Sequence, residues 1–321
     1  MKVTLYLLLA LALIWLLLWL IALKETREAE RDAFPRGEII EVNGHAMHVV
    51  VTGAEKGAAP DLVLIHGSNG HTRDMTFRLA GLLAPRYRVY IIDRPGLGYS
   101  EATNPRGDTL TEQARQIADT AAAFGAEKPI VMGHSYGGSV ALAWAVHMPG
   151  RLSALVPVAA PSHSWDTPLD PLYKWGSSPL GPLFLPLLPA LVTEGRMERI
   201  LEGVFEPDSV PEGYFDWFVP KLSLRYASMH ATAHQRAGLL PEIEALIPLY
   251  GQIDLPTEII HGTEDTTVGL TIHSEPLERA VPDAVLTPLE GHGHMIQHSA
   301  AEDVAAAIDR AAERAGLRPA R

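Results

Sequence analysis

From Val3 to Leu23 the chain is apolar at every position except for the hydroxyls of Thr4 and Tyr6 and the indoles of Trp15 and Trp19. A helix of about 20 such residues spans the roughly 30 Å of a bilayer core, and in lipid it satisfies its own backbone hydrogen bonds. No face of it is polar, so it does not read as a helix of a soluble core. The competing reading is a cleaved signal peptide, whose apolar region is shorter and ends in a small-residue cleavage site. Here the run continues into Leu23, Lys24 and Glu25. The expectation is one transmembrane helix through residues 3–23. Lys and Arg flank both ends, which leaves the side of the membrane open.

Residues 24–36 are charged and helix-prone, then broken at Pro35 and Gly37, and read as a linker. Two apolar runs, Glu38–Val42 and His45–Thr52, meet at Asn43-Gly44, a pair suited to a hairpin turn in which both residues need positive φ. Beyond it, short strands alternate with helices. Asp61–Ile65, Val89–Asp93, Pro129–Met132 and Leu152–Ala159 read as strands, and Thr72–Ala84, Leu110–Phe124 and Tyr136–His147 as helices. Thr109 or Asp108 is placed to cap the second helix. Such alternation predicts right-handed crossovers and a parallel sheet. It stops at Pro161 and resumes with strands at Thr257–Ile260 and Ala284–Thr287 and helices at Thr271–Ala280 and Ala300–Ala315. The chain thus divides into an anchor and linker (1–36), the first part of an α/β core (37–160), a helical insertion (161–250) and the rest of the core (251–321). Within the insertion, Pro179–Pro189 is apolar and proline-rich, and is expected to expose an apolar patch toward substrate or bilayer.

Composition narrows the chemistry. The 321 residues carry 38 acidic against 26 basic side chains, a formal net charge of −12. An acidic surface repels phosphate backbones and argues against nucleic acid as a partner. The absence of cysteine excludes disulfides, thiolate nucleophiles and Cys-based metal sites. No metal-ligand spacing such as H-E-x-x-H is present, and the glycines of Asp93–Ser100 lack the spacing of a dinucleotide fingerprint. No cofactor, metal or obligate protein partner is therefore expected.

The strongest chemical signal is Gly133-His134-Ser135-Tyr136-Gly137, between a strand and a helix. A G-x-S-x-G turn in this setting lifts the serine oxygen above the sheet at the positive end of a helix. A serine needs a base, and Gly291-His292-Gly293-His294 supplies two histidines in a loop between the last strand and the last helix. The imidazole needs a carboxylate to fix its tautomer, and Asp265 or its neighbour Glu264 follows a strand in His261–Val268. Oxyanion donors are expected from the N–H of Tyr136 and from the loop His66-Gly67-Ser68-Asn69-Gly70, at Ser68 or Asn69.

The segments HGSNG, DRPGLGYS, GHSYG, HGTEDTTV and GHGHM, with the hairpin before them, resemble the α/β-hydrolase superfamily over about residues 43–315. The resemblance implies an α/β-hydrolase fold: a mostly parallel eight-stranded sheet with a helical cap after the sixth strand. It also implies the order nucleophile Ser135, acid Asp265 and base His294, the base directly following the second glycine of G-x-G-H. With an N-terminal anchor, the chain is similar in architecture to membrane-bound lipases. The expected activity is hydrolysis of carboxylic esters, with an apolar acyl group, through an acyl-enzyme. A C–C hydrolase of ring-cleavage products, or a binding module without catalysis, are the alternatives.

Overall fold

The computed structural model describes residues 2–318. Eight strands form one sheet in the order β1-β2-β4-β3-β5-β6-β7-β8. They are β1 Glu38–Val42, β2 His45–Gly53, β3 Asp61–Ile65, β4 Arg88–Ile92, β5 Ile130–His134, β6 Ala154–Val158, β7 Thr257–Gly262 and β8 Ala284–Leu289. β2 is antiparallel to both of its neighbours, and the other pairings are parallel. Val42 pairs with His45 across the Asn43-Gly44 turn, whose residues take φ of 55° and 79°.

The central strands are apolar on both faces because helices cover both. Val63 and Ile65 of β3 point into a core with the helices Leu110–Ala123 and Tyr136–His147, where Trp144 is fully buried. Leu62 and Leu64 point the other way, toward Leu79–Leu83 and Ala301–Arg314. A parallel sheet covered on both sides reads as continuous apolar runs for this reason. The helix at Leu110 starts on a capping box: Thr109 accepts from Glu112 N–H, and the Glu112 carboxylate accepts from Thr109 N–H. The segment read as one helix over Thr72–Ala84 is two short ones, Thr72–Thr76 and Leu79–Leu83. Arg78 leaves helical geometry between them, and its guanidinium donates to the carbonyl of His298 and to Glu302.

Between β6 and β7 lies a helical cap. Its longest helix, Tyr226–Leu246, sends Leu239, Ile243 and Leu246 into the main core. A second joint is aromatic. Phe205, Tyr214 and Phe218 of the cap pack with Met295 and Phe77 of the body around a buried Asp74, which accepts from Tyr214 Oη–H and His298 Nε2–H, both at 2.7 Å. The proline-rich stretch splits into short helices at Gly181–Phe184 and Leu188–Leu191 joined by a 3₁₀ turn. Leu180 and Leu183 are exposed, whereas Leu185 and Leu187 are buried, so only part of the segment is an apolar surface.

The N-terminal helix runs unbroken from Lys2 to Asp32. The charged stretch expected as a linker thus continues the helix, aided by a Lys24–Glu28 pair one turn apart. Most Leu and Ile side chains from Leu5 to Ile21 stay exposed, and the helix is long and apolar enough to cross a membrane. Its C-terminal half docks on the body through small buried residues, Ala22 and Ala29, with Ala33 just beyond. Around this contact Trp15 Nε1–H donates to the carbonyl of Leu183, Lys221 pairs with Glu25 and Arg225 with Glu30. Tyr99 Oη–H reaches the carbonyls of Glu30 and Ala33.

Candidate active site

Ser135 occupies the sharp turn between β5 and the helix Tyr136–His147, with φ 52° and ψ −124°. Its N–H donates to the carbonyl of Val158 at 2.8 Å, which ties the turn to β6. The turn closes only because its flanks are glycine. A Cβ at Gly133 would strike the carbonyl of Gly137, and one at Gly137 the carbonyls of Ile65 and His66. Ser135 is almost covered, at 7% exposure.

Asp265 and His294 come together from the loops after β7 and β8. His294 Nδ1–H donates to Asp265 Oδ2 at 2.7 Å. Asp265 Oδ1 accepts from the N–H groups of Thr267 and Val268, both at 2.8 Å. His261 Nε2–H also reaches Asp265 Oδ2, at 3.1 Å, while His261 Nδ1 accepts from Ser274 Oγ–H. Burial raises the Asp265 carboxyl, but hydrogen bonds from His261 and His294 and the charge of His294 outweigh it and hold the group below the usual carboxylate range. The carboxylate orients both rings. Glu264, the alternative carboxylate, is exposed.

His292 is engaged elsewhere. Its Nδ1–H donates at 2.9 Å to Asp208 of the cap, and Asp208 also accepts from Gly293 N–H. His292 thus links the cap to this loop. His294 and Ser135 sit on adjoining loops, since His134 Nε2–H donates to the carbonyl of His294 at 3.0 Å. No hydrogen bond joins Ser135 Oγ to His294 Nε2 in this arrangement; such bonds often tighten only with substrate.

The loop His66–Gly70 lies against the serine, with the Cβ position of Gly67 3.3 Å from Ser135 Cβ. Its carbonyls are held away from the site. Arg94 Nε–H and Nη2–H donate to the carbonyls of His66 and Gly67, and Ser223 Oγ–H of the cap donates to that of Asn69. Asn69 also donates to Tyr173 Oη of the cap. Among the described residues, the N–H groups of Ser68 and Tyr136 find no acceptor; Tyr136 directly follows Ser135, and Ser68 follows Gly67, which packs against it. Arg94 was not legible as a site residue. It is fully buried, reaches Gln113 and Gln235 and stacks on Tyr136, so its role depends on partners scattered through the chain. Burial pushes its guanidinium down to about 10. It remains charged near neutral pH, a fixed cation behind the loop.

A cavity of about 520 Å³ opens between cap and body beside Asp265, walled by Trp165, Leu239, Leu240, Val268 and Ile272. The geometry offers a serine on a strained turn, an imidazole oriented by a carboxylate, and unpaired N–H groups at Tyr136, next to the serine, and at Ser68, in the adjoining loop.

Residues 62–307 match the alpha/beta hydrolase family. The chain is similar to a pimeloyl-[acyl-carrier protein] methyl ester esterase of Chromobacterium violaceum, 29% identical over 262 residues, 75% of this chain and 91% of the relative. An uncharacterized protein of Mycobacterium tuberculosis is 26% identical over 272 residues, 79% of this chain and 74% of that one. Among solved structures, a membrane phospholipase A described as a bacterial virulence factor aligns over 99% of this chain and 98% of its own, with TM-score 0.65 and 21% identity.

Proposed function

Since the chain belongs to the alpha/beta hydrolase family, we propose that it is a membrane-anchored serine esterase that cleaves carboxylic esters with apolar acyl groups. Ser135 is the nucleophile, His294 the base and Asp265 the acid that orients it. The observation that carries this reading is the pairing of Ser135 at φ 52° with an adjoining loop whose histidine donates to a buried carboxylate at 2.7 Å. In the proposed reaction His294 Nε2 takes the proton of Ser135 Oγ as the oxygen attacks the ester carbonyl. The N–H groups of Ser68 and Tyr136 receive the oxyanion, each contributing roughly 3–4 kcal/mol of transition-state stabilisation. His294 protonates the leaving alcohol, then activates water to clear the acyl-enzyme.

The activity of the Chromobacterium violaceum relative, a methyl ester esterase, supports an ester substrate. The apolar walls of the cavity beside Asp265 support an apolar acyl group. The exposed apolar helix supports attachment to a bilayer through residues 3–23, and its alignment along with the body to a membrane phospholipase A supports the same. The test is turnover of p-nitrophenyl esters of rising chain length by the wild type and Ser135→Ala. The variant is expected to lose at least about 10³-fold in kcat while keeping its fold by circular dichroism. Near-wild-type turnover by the variant refutes the nucleophile.

A further inference from the structure

A cavity of about 270 Å³ lies apart from Ser135, where the end of the N-terminal helix, β2, the start of the helix at Thr72 and the cap meet. That volume falls just under the range of about 300–1,000 Å³ that encloses a drug-sized ligand. Its polar lining holds two arginines, Arg36 and Arg73, two histidines, His48 and His71, and one carboxylate, Asp93. Arg73, His71 and His48 line it and are 7%, 2% and 1% exposed, and each leaves nitrogen atoms without a partner: Arg73 Nη1, both ring nitrogens of His71, and His48 Nε2. Arg36 closes the outer side. Its guanidinium lies 4.2 Å and that of Arg73 5.0 Å from the centroid of the same Trp217 ring.

Neither arginine forms an ion pair among the described residues. Arg73 is otherwise tied by Nε–H to the carbonyl of Trp217 at 2.5 Å. The one carboxylate lining the cavity, Asp93, is already spoken for. Its Oδ1 accepts from Thr72 N–H, and its Oδ2 from His48 Nδ1–H and Tyr99 N–H. Two guanidinium groups sharing one indole repel each other, and partly buried donors without acceptors are costly. One bound anion relieves both.

We propose that this cavity is a binding site for a small oxyanion of the phosphate class, held by Arg36 and Arg73 with His71 as a further donor. The electrostatics of the site agree with it. Burial and the Arg36 charge push the Arg73 guanidinium below its ordinary value, and burial lowers His71 to about 4. A neutral His71 still offers one N–H, and an anion beside it favours the charged ring. Arg matches phosphate oxygens with its planar fork of donors. The phosphate belongs either to a soluble compound or to a lipid headgroup.

The test is calorimetric titration of orthophosphate into the full chain carrying Ser135→Ala, in phosphatidylcholine nanodiscs at constant ionic strength. Binding is read directly, so failure of the esterase assignment leaves this result intact. One saturable site is expected, weakened at least about tenfold by Arg73→Gln and by Arg36→Gln. Arg115→Gln, an exposed arginine outside the cavity, is expected to change nothing. Arg36 is exposed, so its variant keeps the test open if Arg73→Gln does not fold. Nanodiscs containing phosphatidic acid separate the sources: an unchanged phosphate affinity supports a soluble anion, and competition abolished by Arg36→Gln supports a headgroup. No saturable binding, or binding unchanged in both arginine variants, overturns the site and leaves the cavity to water.

Discussion

A non-glycine residue at positive φ costs roughly 1–3 kcal/mol, and such strain persists only where surrounding contacts impose it. At Ser135 they are the bond to Val158 and the two glycine flanks. The same local logic separates the two histidines of the GHGH loop. His294 faces Asp265, and His292 faces Asp208. His294→Ala is expected to lower kcat by at least about 10³-fold. His292→Ala removes one partly exposed contact to the cap and is expected to cost no more than about tenfold. Ester turnover of the two variants checks this, and the reverse ranking would move the base to His292. The roles proposed for Ser135, Asp265 and His294 were legible in the sequence because each residue lies in a short motif at a strand end. Arg94 was not, because its partners Gln113, in a body helix, and Gln235, in the cap, are brought to it only by tertiary folding.

At the scale of elements, strands and helices of the core were legible because burial on both faces of the sheet imposes apolar runs. The extent of the first helix was not. Its charged half reads as a solvated linker, yet Glu25 and Glu30 find Lys221 and Arg225 about two hundred residues away in the cap. The proline-rich segment likewise mixes two roles that apolarity alone does not separate. Leu180 and Leu183 are 50% and 60% exposed, and Leu185 is 0% exposed. If that surface meets lipid, replacing Leu180 and Leu183 with Asp weakens liposome association of the protein lacking residues 2–32, by roughly tenfold or more on the scale of apolar burial. Leu185→Asp instead buries a carboxylate and is expected to unfold the cap. Liposome co-sedimentation and near-ultraviolet circular dichroism distinguish the two. Equal liposome binding by the double variant would make the exposed leucines incidental. In the cavity beside Asp265 each added CH₂ of an acyl chain is expected to contribute roughly 0.8 kcal/mol until the space is full, about fourfold in kcat/KM, so medium-chain esters are expected to outrun acetates.

The whole molecule carries a pH dependence that no single motif shows. Burial lowers His66 and His134 to about 3, and His71 and His273 to about 4. In the unfolded chain a histidine titrates near 6.5. Between these values the unfolded state binds more protons than the folded one, so stability rises with pH there. It is fully present above about pH 6.5 and is lost as pH falls toward 4 and then 3, each group contributing up to roughly 1.4 kcal/mol per pH unit. Asp93, lowered to about 2 by bonds from His48 that overcome its burial, extends the loss below pH 4. The net charge of −12 works the other way, since acid relieves surface repulsion, but salt screens that effect more than it screens buried groups. Thermal melts from pH 8 to 4.5 are expected to show a falling Tm below pH 6.5, and a flat profile would mean that these histidines titrate freely. The central claim concerns one oxygen atom, and covalent labelling tests it most directly. The full chain is treated with a fluorophosphonate and the modified peptide located by mass spectrometry. A single stoichiometric adduct is expected on Ser135, lost in Ser135→Ala and slowed at least about 10³-fold in His294→Ala. An unlabelled Ser135 in a protein that still hydrolyses esters, or an adduct on another residue, would contradict the account.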